Sequence, residues 1–319
     1  MTRALVLGVN GQDGILLSQL LLERGFTVFG VGFQSLPSIH LRSEVNYQSI
    51  DIRETEKISK LISESKIERV YNLAGLSSVA ESFLNPIEFM EINYLAVKGL
   101  LEEIYSDSRN EALRFYQASS SEMFGLALEN PQSETTAFNP VSPYAESKVK
   151  AHIESENFRK SGFFVSCGIL FNHESTFRPE RFISRKISSS VARISLGLQS
   201  QLVVGNIEAR RDWGAAKDYV DAMNRILEHS KPDVYVVATG KLHSVKEMIT
   251  LALQRVGLHE RFDELVSFDE NLLRPTEAME ICGNPSKIQS ELGWSAKTDL
   301  KTLIHEMVDY DLAAIQGAS

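Results

Sequence analysis

The sequence predicts an α/β protein built on a doubly wound parallel sheet, and three observations carry that expectation. Short apolar runs alternate with amphipathic stretches through the first half of the chain. The first apolar run leads straight into Gly8-Val9-Asn10-Gly11-Gln12-Asp13-Gly14. No Pro/Gly-rich linker or internal repeat divides the chain, so a second, smaller C-terminal lobe is expected to be interleaved with the first. Strands that alternate with helices pair in parallel, because each crossover helix returns the chain to the same end of the sheet.

Taken in order, residues 4–7 read as a buried strand and 12–23 as a helix. Residues 27–31 and 45–51 read as strands, 54–64 as a helix, and 69–73 as a strand. A helix over 89–104 precedes a strand over 114–118. A long helix over 143–160 precedes a strand over 163–171. Beyond this the pattern is less regular: helices over 182–196, 216–229, 245–256 and 301–315, and a strand over 233–237. Residues 1–171 are expected to form mainly a dinucleotide-binding domain. Residues 172–319 are expected to form mainly the substrate lobe, with 205–240 returning to the first core.

The chain of 319 residues carries a net charge of −9, which argues against a nucleic-acid partner, since phosphate backbones demand a basic field. Any anionic ligand must be met by local Arg and Lys. The two cysteines, Cys167 and Cys282, are far apart and read as free thiols in a reducing compartment, with no disulfide framework and no metal site. The N-terminal residues read directly as a strand, without the apolar stretch of a signal peptide, and no apolar run reaches membrane-spanning length. A cytoplasmic protein with no membrane partner is expected.

The glycine spacing at Gly8, Gly11 and Gly14 permits a tight turn and close approach of backbone to a diphosphate, with the helix N-terminus facing the anion. Its place between a strand and a helix is what gives the motif weight, and it predicts a Rossmann dinucleotide site. Asp51 and Ile52 either flank an adenine or start the next helix. At the end of the second strand an acidic residue would select NAD and an arginine NADP. The chain has Gly32-Phe33-Gln34-Ser35, which is neither.

Tyr144 and Lys148 stand at i and i+4 and so share one helix face. A nearby ammonium favours an ionised phenol, a base for a sugar hydroxyl. Taken alone the two would be an ordinary surface pair. Ser119-Ser120-Ser121-Glu122 adds hydroxyls and a carboxylate. The carboxylate suggests removal of a second proton, from carbon.

With these residues in place the chain resembles the extended short-chain dehydrogenases/reductases, and within them the GDP-mannose 4,6-dehydratase family. The resemblance rests on residues 115–125, on Ser142-Pro143-Tyr144-Ala145, on residues 168–175 and 205–214, on Lys217-Asp218-Tyr219-Val220, on Arg274-Pro275-Thr276-Glu277 and on Gly283-Asn284-Pro285-Ser286-Lys287. It implies that Tyr144 takes the O4 proton, Lys148 holds the cofactor ribose and lowers the Tyr144 pKa, and Ser120 donates to O4. Glu122 then removes the C5 proton and helps expel the C6 hydroxyl. The implied cofactor contacts are Gly8, Asn10, Gly11, Gln12, Asp13, Gly14, Asp51, Ile52, Leu73, Ala74, Ser77, Tyr144, Lys148, His173 and Arg178. The implied substrate contacts are Ser77, Glu122, Asn172, Lys186, Arg211, Arg274 and Glu277. The resemblance implies NADP, a GDP-sugar substrate and a homodimer or homotetramer. The paired arginines usual after the second strand are absent, which leaves NAD open. Glu81 is an unusual charge near the expected sugar pocket, read as an exposed helix residue or as a reader of an extra hydroxyl. A GDP-manno-heptose 4,6-dehydratase, a 4-epimerase or 4-keto reductase of the same superfamily, and a catalytically silent nucleotide sensor are the alternatives.

Overall fold

The computed structural model describes residues 1–107, 112–272 and 279–317. Its centre is a seven-stranded parallel sheet in the order β10-β6-β5-β4-β1-β2-β3. The strands are β1 (Arg3–Leu7), β2 (Thr27–Gly32), β3 (Asn46–Ser49), β4 (Arg69–Asn72), β5 (Arg114–Ser120), β6 (Val165–Leu170) and β10 (Val234–Val237). The chain reverses direction across the sheet between β1 and β4. Ligands of such sheets sit in the crevice beyond the carboxyl ends of the strands at that switch point.

Helices α1 (Gln12–Glu23), α2 (Thr55–Glu64), α3 (Val79–Leu84), α4 (Pro86–Met90), α5 (Ala96–Ser106) and α6 (Pro143–Lys160) connect the first six strands. Apart from β3, which lies largely exposed at the sheet edge, the strands are largely buried, as in sheets covered on both faces. Ala4 and Val6 pack with Leu17, Tyr71, Tyr116 and Tyr219 on one face. Leu5 and Leu7 pack with Ile58, Val70, Leu100 and Phe115 on the other.

The remaining elements are β7 (Asn172–Glu174), α7 (Ile183–Ser195), β8 (Leu202–Val204), β9 (Arg210–Ala215), α8 (Ala216–Glu228), β11 (Leu242–Ser244), α9 (Val245–Arg255), α10 (Phe262–Leu265), β12 (Val266–Phe268), β13 (Glu280–Ile281), α11 (Ser286–Leu292) and α12 (Leu300–Gly317). Helix α8 packs on α1 and β10 pairs with β6, so the chain re-enters the first core after β9. A separate apolar cluster, with Ile187, Val191, Trp213, Met248 and Leu303, holds the second lobe.

Several expected elements are redrawn. The strand expected over 45–51 is confined to Asn46–Ser49, and that over 163–171 to Val165–Leu170. The helix expected over 89–104 starts at Pro86 and contains a π-helical turn, Glu91–Leu95. The short strands β7, β8, β9, β11, β12 and β13 have no sequence counterpart in the expectation. Each pairs with a distant segment, as Asn172 does with Trp213, so no local pattern announces them.

Candidate active site

The phosphate loop follows β1. Gly8 has φ +79°, and a Cβ there would lie 2.8 Å from the Ala74 backbone. A Cβ at Gly14 would lie 2.4 Å from the Gly8 carbonyl oxygen. Only glycine fits either place, and the result is a cradle open to a diphosphate at the N-terminus of α1. The cradle suits a dinucleotide. Gln12 donates to the His173 carbonyl at 3.1 Å and accepts from Ser175 at 2.9 Å, tying α1 to the strand end opposite. Asn10 lies against the loop after β2. Leu73 and Ala74 form the facing wall, and Ser77 is exposed beyond them.

The expected helix face forms as read. Ser142 caps α6, accepting from the Ala145 N–H at 3.1 Å, and Pro143 occupies the first turn, where a missing N–H costs nothing. Tyr144, Lys148 and His152 all point inward and are buried. Lys148 Nζ donates to the Ala118 carbonyl at 3.0 Å, and the His152 ring is hydrogen-bonded through Nδ1 to Ser119 at 2.8 Å. Two of the site's carrying residues lie at the carboxyl end of β5. Ser120 caps the short turn that follows, its Oγ accepting from the Glu122 N–H at 3.3 Å.

Burial and neighbouring charges act on both Tyr144 and Lys148. Burial pushes the Tyr144 phenol up to about 12, the Ser120 hydroxyl pulls it back by hydrogen bonding, and the Glu122 charge raises it. Burial also pushes Lys148 down to about 8, against the pull of Asp13. In the protein by itself burial outweighs the neighbouring groups at Tyr144. The ammonium is engaged with a backbone carbonyl and desolvation dominates both groups.

His173 and Arg178 are brought to the same crevice but are held by protein partners. The His173 ring stacks on Tyr219 with centroids 4.7 Å apart, and its Nε2 lies 2.8 Å from Asp13. Arg178 lies over the Phe182 ring at 3.7 Å, with Nε 3.1 Å from the buried carboxylate of Glu174. Asp51 is gripped by the Arg53 guanidinium at 2.7 and 3.0 Å, and Ile52 packs into the core. Asn172 opens β7, and Lys186 is half-buried on α7. Arg211 is buried on β9 with Nη1 2.9 Å from the Arg210 carbonyl. Arg274 and Glu277 lie outside the described residues. Glu81 is an exposed residue of α3, 3.7 Å from Arg181 of the opposite lobe.

One residue beside the site escaped the sequence reading. Asn93 sits in the π-helical turn, 1% exposed. Its amide clamps Leu76 from both sides, Oδ1 accepting from the Leu76 N–H at 2.9 Å and Nδ2 donating to the Leu76 carbonyl at 3.0 Å, and it reaches Ser147 of α6 at 3.2 Å. Its only signal is a buried-phase asparagine inside an apolar helical run. A π turn at such a place is a recurrent mark of functional sites.

The glycine cradle, the strand order and the Ser120–Tyr144–Lys148 grouping define an extended short-chain dehydrogenase/reductase. The sequence pattern of the family described as GDP-mannose 4,6 dehydratase matches residues 5–307. GDP-mannose 4,6 dehydratase 1 of Arabidopsis thaliana is 41% identical over 97% of this chain and 89% of its own. GDP-mannose 4,6 dehydratase 2 of Caenorhabditis elegans is 39% identical over 98% of this chain and 90% of its own. Among solved structures, a UDP-glucose 4-epimerase from Thermotoga maritima superposes with a TM-score of 0.88 at 22% identity, covering 98% of this chain and 100% of that one. The chain belongs to the GDP-mannose 4,6-dehydratase family.

Proposed function

We propose that this protein is a hydro-lyase that converts a GDP-sugar into the GDP-4-keto-6-deoxy sugar. The observation that carries the proposal is Glu122. Its carboxylate lies close enough to Tyr144 for its charge to act on the phenol, on the turn that Ser120 caps. A second base in the pocket serves elimination and has no task in simple oxidation or epimerisation at C4.

Tyr144 is proposed to take the O4 proton while the Ser120 hydroxyl steadies O4. A bound nicotinamide dinucleotide would accept the C4 hydride and return it to C6, so that the net change is loss of one water. The C4 ketone makes the C5 proton acidic. Glu122 removes that proton and passes one to the departing C6 hydroxyl, the work of a general base and then a general acid. Lys148 and the backbone of the glycine cradle hold the cofactor. Arg211 and Lys186 are proposed for the diphosphate, where guanidinium and ammonium groups suit phosphate oxygens. A homo-oligomer is proposed too, supported by exposed Leu84, Ile87, Leu95 and Ile153 on and around α3–α6, and is checked by sedimentation. So is a cytoplasmic setting, supported by the free thiols Cys167 and Cys282. No described helix is long and apolar enough to cross a membrane.

The test is incubation with GDP-mannose, GDP-manno-heptose and UDP-glucose in deuterated buffer, followed by NMR. The expected product of a GDP-sugar carries deuterium at C5 and a 6-methyl or 6-methylene group. Glu122→Gln should bind substrate and stop elimination; wild-type turnover in that variant would remove Glu122 from the mechanism.

A further inference from the structure

The residues at the end of β2 converge on one point. A Cβ added at Gly32 would lie 3.1 Å from each of Asn10 Nδ2, Gln34 Oε1 and Tyr47 Oη. Asn10 Nδ2 donates to Gln34 Oε1 at 2.8 Å and lies 3.3 Å from the Tyr47 hydroxyl. Asn10 Oδ1 accepts from the Ser38 N–H at 2.9 Å, and Tyr47 donates to the Gln34 carbonyl. The side chain of Gln34 is thereby held by its oxygen, which leaves its NH2 group as the donor available at the surface. The Gly8 and Val9 N–H groups both donate to the Val31 carbonyl, so this cluster abuts the phosphate loop. In a doubly wound dinucleotide fold, the end of the second strand is where the adenosine ribose and its 2′ substituent lie.

Every polar group in that cluster is neutral. The cations nearby in sequence are engaged: Arg42 pairs with Glu44, Arg53 grips Asp51 and lies 3.6 Å from Glu91, and the His40 ring lies against Phe177 at 5.0 Å. A 2′-phosphate brings close to two negative charges and calls for charged donors. A 2′-hydroxyl is neutral and is satisfied by one amide donor and one oxygen acceptor.

We infer that Gln34, clamped by Asn10 and Tyr47, sets the cofactor choice of this protein and selects NAD, with its free 2′-hydroxyl, over NADP. The family resemblance implies NADP; the residues at the 2′ position of this chain do not supply its charge. The inference rests on the dinucleotide reading of the glycine cradle and is independent of which sugar is the substrate.

Calorimetric titration of the cofactor-stripped protein with NAD and with NADP, at one ionic strength, tests it. NAD is expected to bind at least tenfold more tightly. Gln34→Arg should shift the NAD-to-NADP affinity ratio at least tenfold toward NADP, with a melting profile like wild type because Gln34 is exposed. Tighter or equal binding of NADP by the wild type would overturn the inference. Loss of NADP binding in Arg42→Ala would do the same, naming Arg42 as a phosphate ligand. An unchanged ratio in Gln34→Arg would remove Gln34 as the determinant. If neither dinucleotide binds, the cradle has been misread and the proposed function fails with it, whereas a preference for NADP leaves that function standing.

Discussion

His173 Nε2 and Asp13 Oδ2 lie 2.8 Å apart and join β7 to the first turn of the phosphate-loop helix. The other ring nitrogen, Nδ1, lies 2.7 Å from the Phe171 carbonyl oxygen. Both nitrogens face acceptors, so the ring is best satisfied as an imidazolium. Burial opposes both charges, but for His173 the Asp13 carboxylate prevails and its pKa rises above 6.5. For Asp13 burial is likewise outweighed, by the His173 charge and hydrogen bond, and its pKa falls below 3.8.

The signs give a pH window. The His173 contribution is complete below 6.5 and is lost as pH rises through the raised value. The Asp13 contribution is complete above 3.8 and is lost as pH falls through the lowered value. The cofactor-free protein should therefore melt at a lower temperature at pH 9 than at pH 6, and Asp13→Asn should flatten that slope. Parallel melting curves for wild type and variant across this range would refute the pairing.

Lys148 predicts how cofactor affinity responds to pH. Desolvation holds it near 8, so the ammonium that would bind the cofactor ribose is present below that pH and lost above it. The logarithm of the cofactor association constant should be level below pH 8 and then fall, approaching a slope of about −1 for loss of one proton. Lys148→Arg keeps its charge and should remove the fall, whatever its effect on absolute affinity. Calorimetry from pH 6.5 to 9.5 decides.

Asn93 holds the loop after β4 to α6. Asn93→Leu leaves the Leu76 N–H and carbonyl without their partners, at a cost of about 1–3 kcal/mol for buried polar groups. Turnover should fall by about tenfold or more, since Tyr144 and the cofactor wall lose their common brace, and small misplacements weigh heavily on rate. Urea unfolding and steady-state rates, measured together, separate the two effects. Full activity in a destabilised protein would assign Asn93 to stability alone.

A buried ion pair joins α7 to α12 beside the apolar cluster of the second lobe. Arg185 of α7 pairs with Asp311 of α12, Ser188 donates to the same carboxylate at 2.7 Å, and Arg185 Nε reaches the Thr176 carbonyl at 3.2 Å. Asp311→Ala strands a buried guanidinium and should cost about 3–5 kcal/mol, while Arg185→Met combined with Asp311→Leu should recover most of it. Denaturant melts of the single and double variants form a double-mutant cycle. A single-variant cost below the scatter of surface substitutions would count against the pair.

The first lobe was legible because its signals are local. A strand followed by Gly8, Gly11 and Gly14 needs only nearest-neighbour sterics to become a cradle. Ser142, Pro143, Tyr144 and Lys148 lie within two turns of one helix, so capping and a 3.6-residue period place them. Asp51 reads as an adenine neighbour or a helix start; it lies just ahead of α2, where its carboxylate accepts from the Arg53 backbone N–H at 2.9 Å and also pairs with the Arg53 guanidinium. Glu81 reads as an exposed helix residue, and it is one, but its Arg181 partner lies 100 positions away across the cleft. Asn93 was missed because its amide acts on Leu76 and Ser147, which no periodicity connects to it.

By itself, then, the sequence determined the parallel α/β architecture, the phosphate cradle, and the phenol and ammonium on one helix face. All of these follow from interactions among residues a few positions apart. Tertiary structure decided that His173 meets Asp13, that Asn93 braces α6, that Lys148 rests on Ala118, and that Asn10 and Tyr47 hold Gln34 at the end of β2. The reason is physical: charge pairing and desolvation depend on distance in space, and segments up to 160 residues apart acquire that distance only when the sheet has closed.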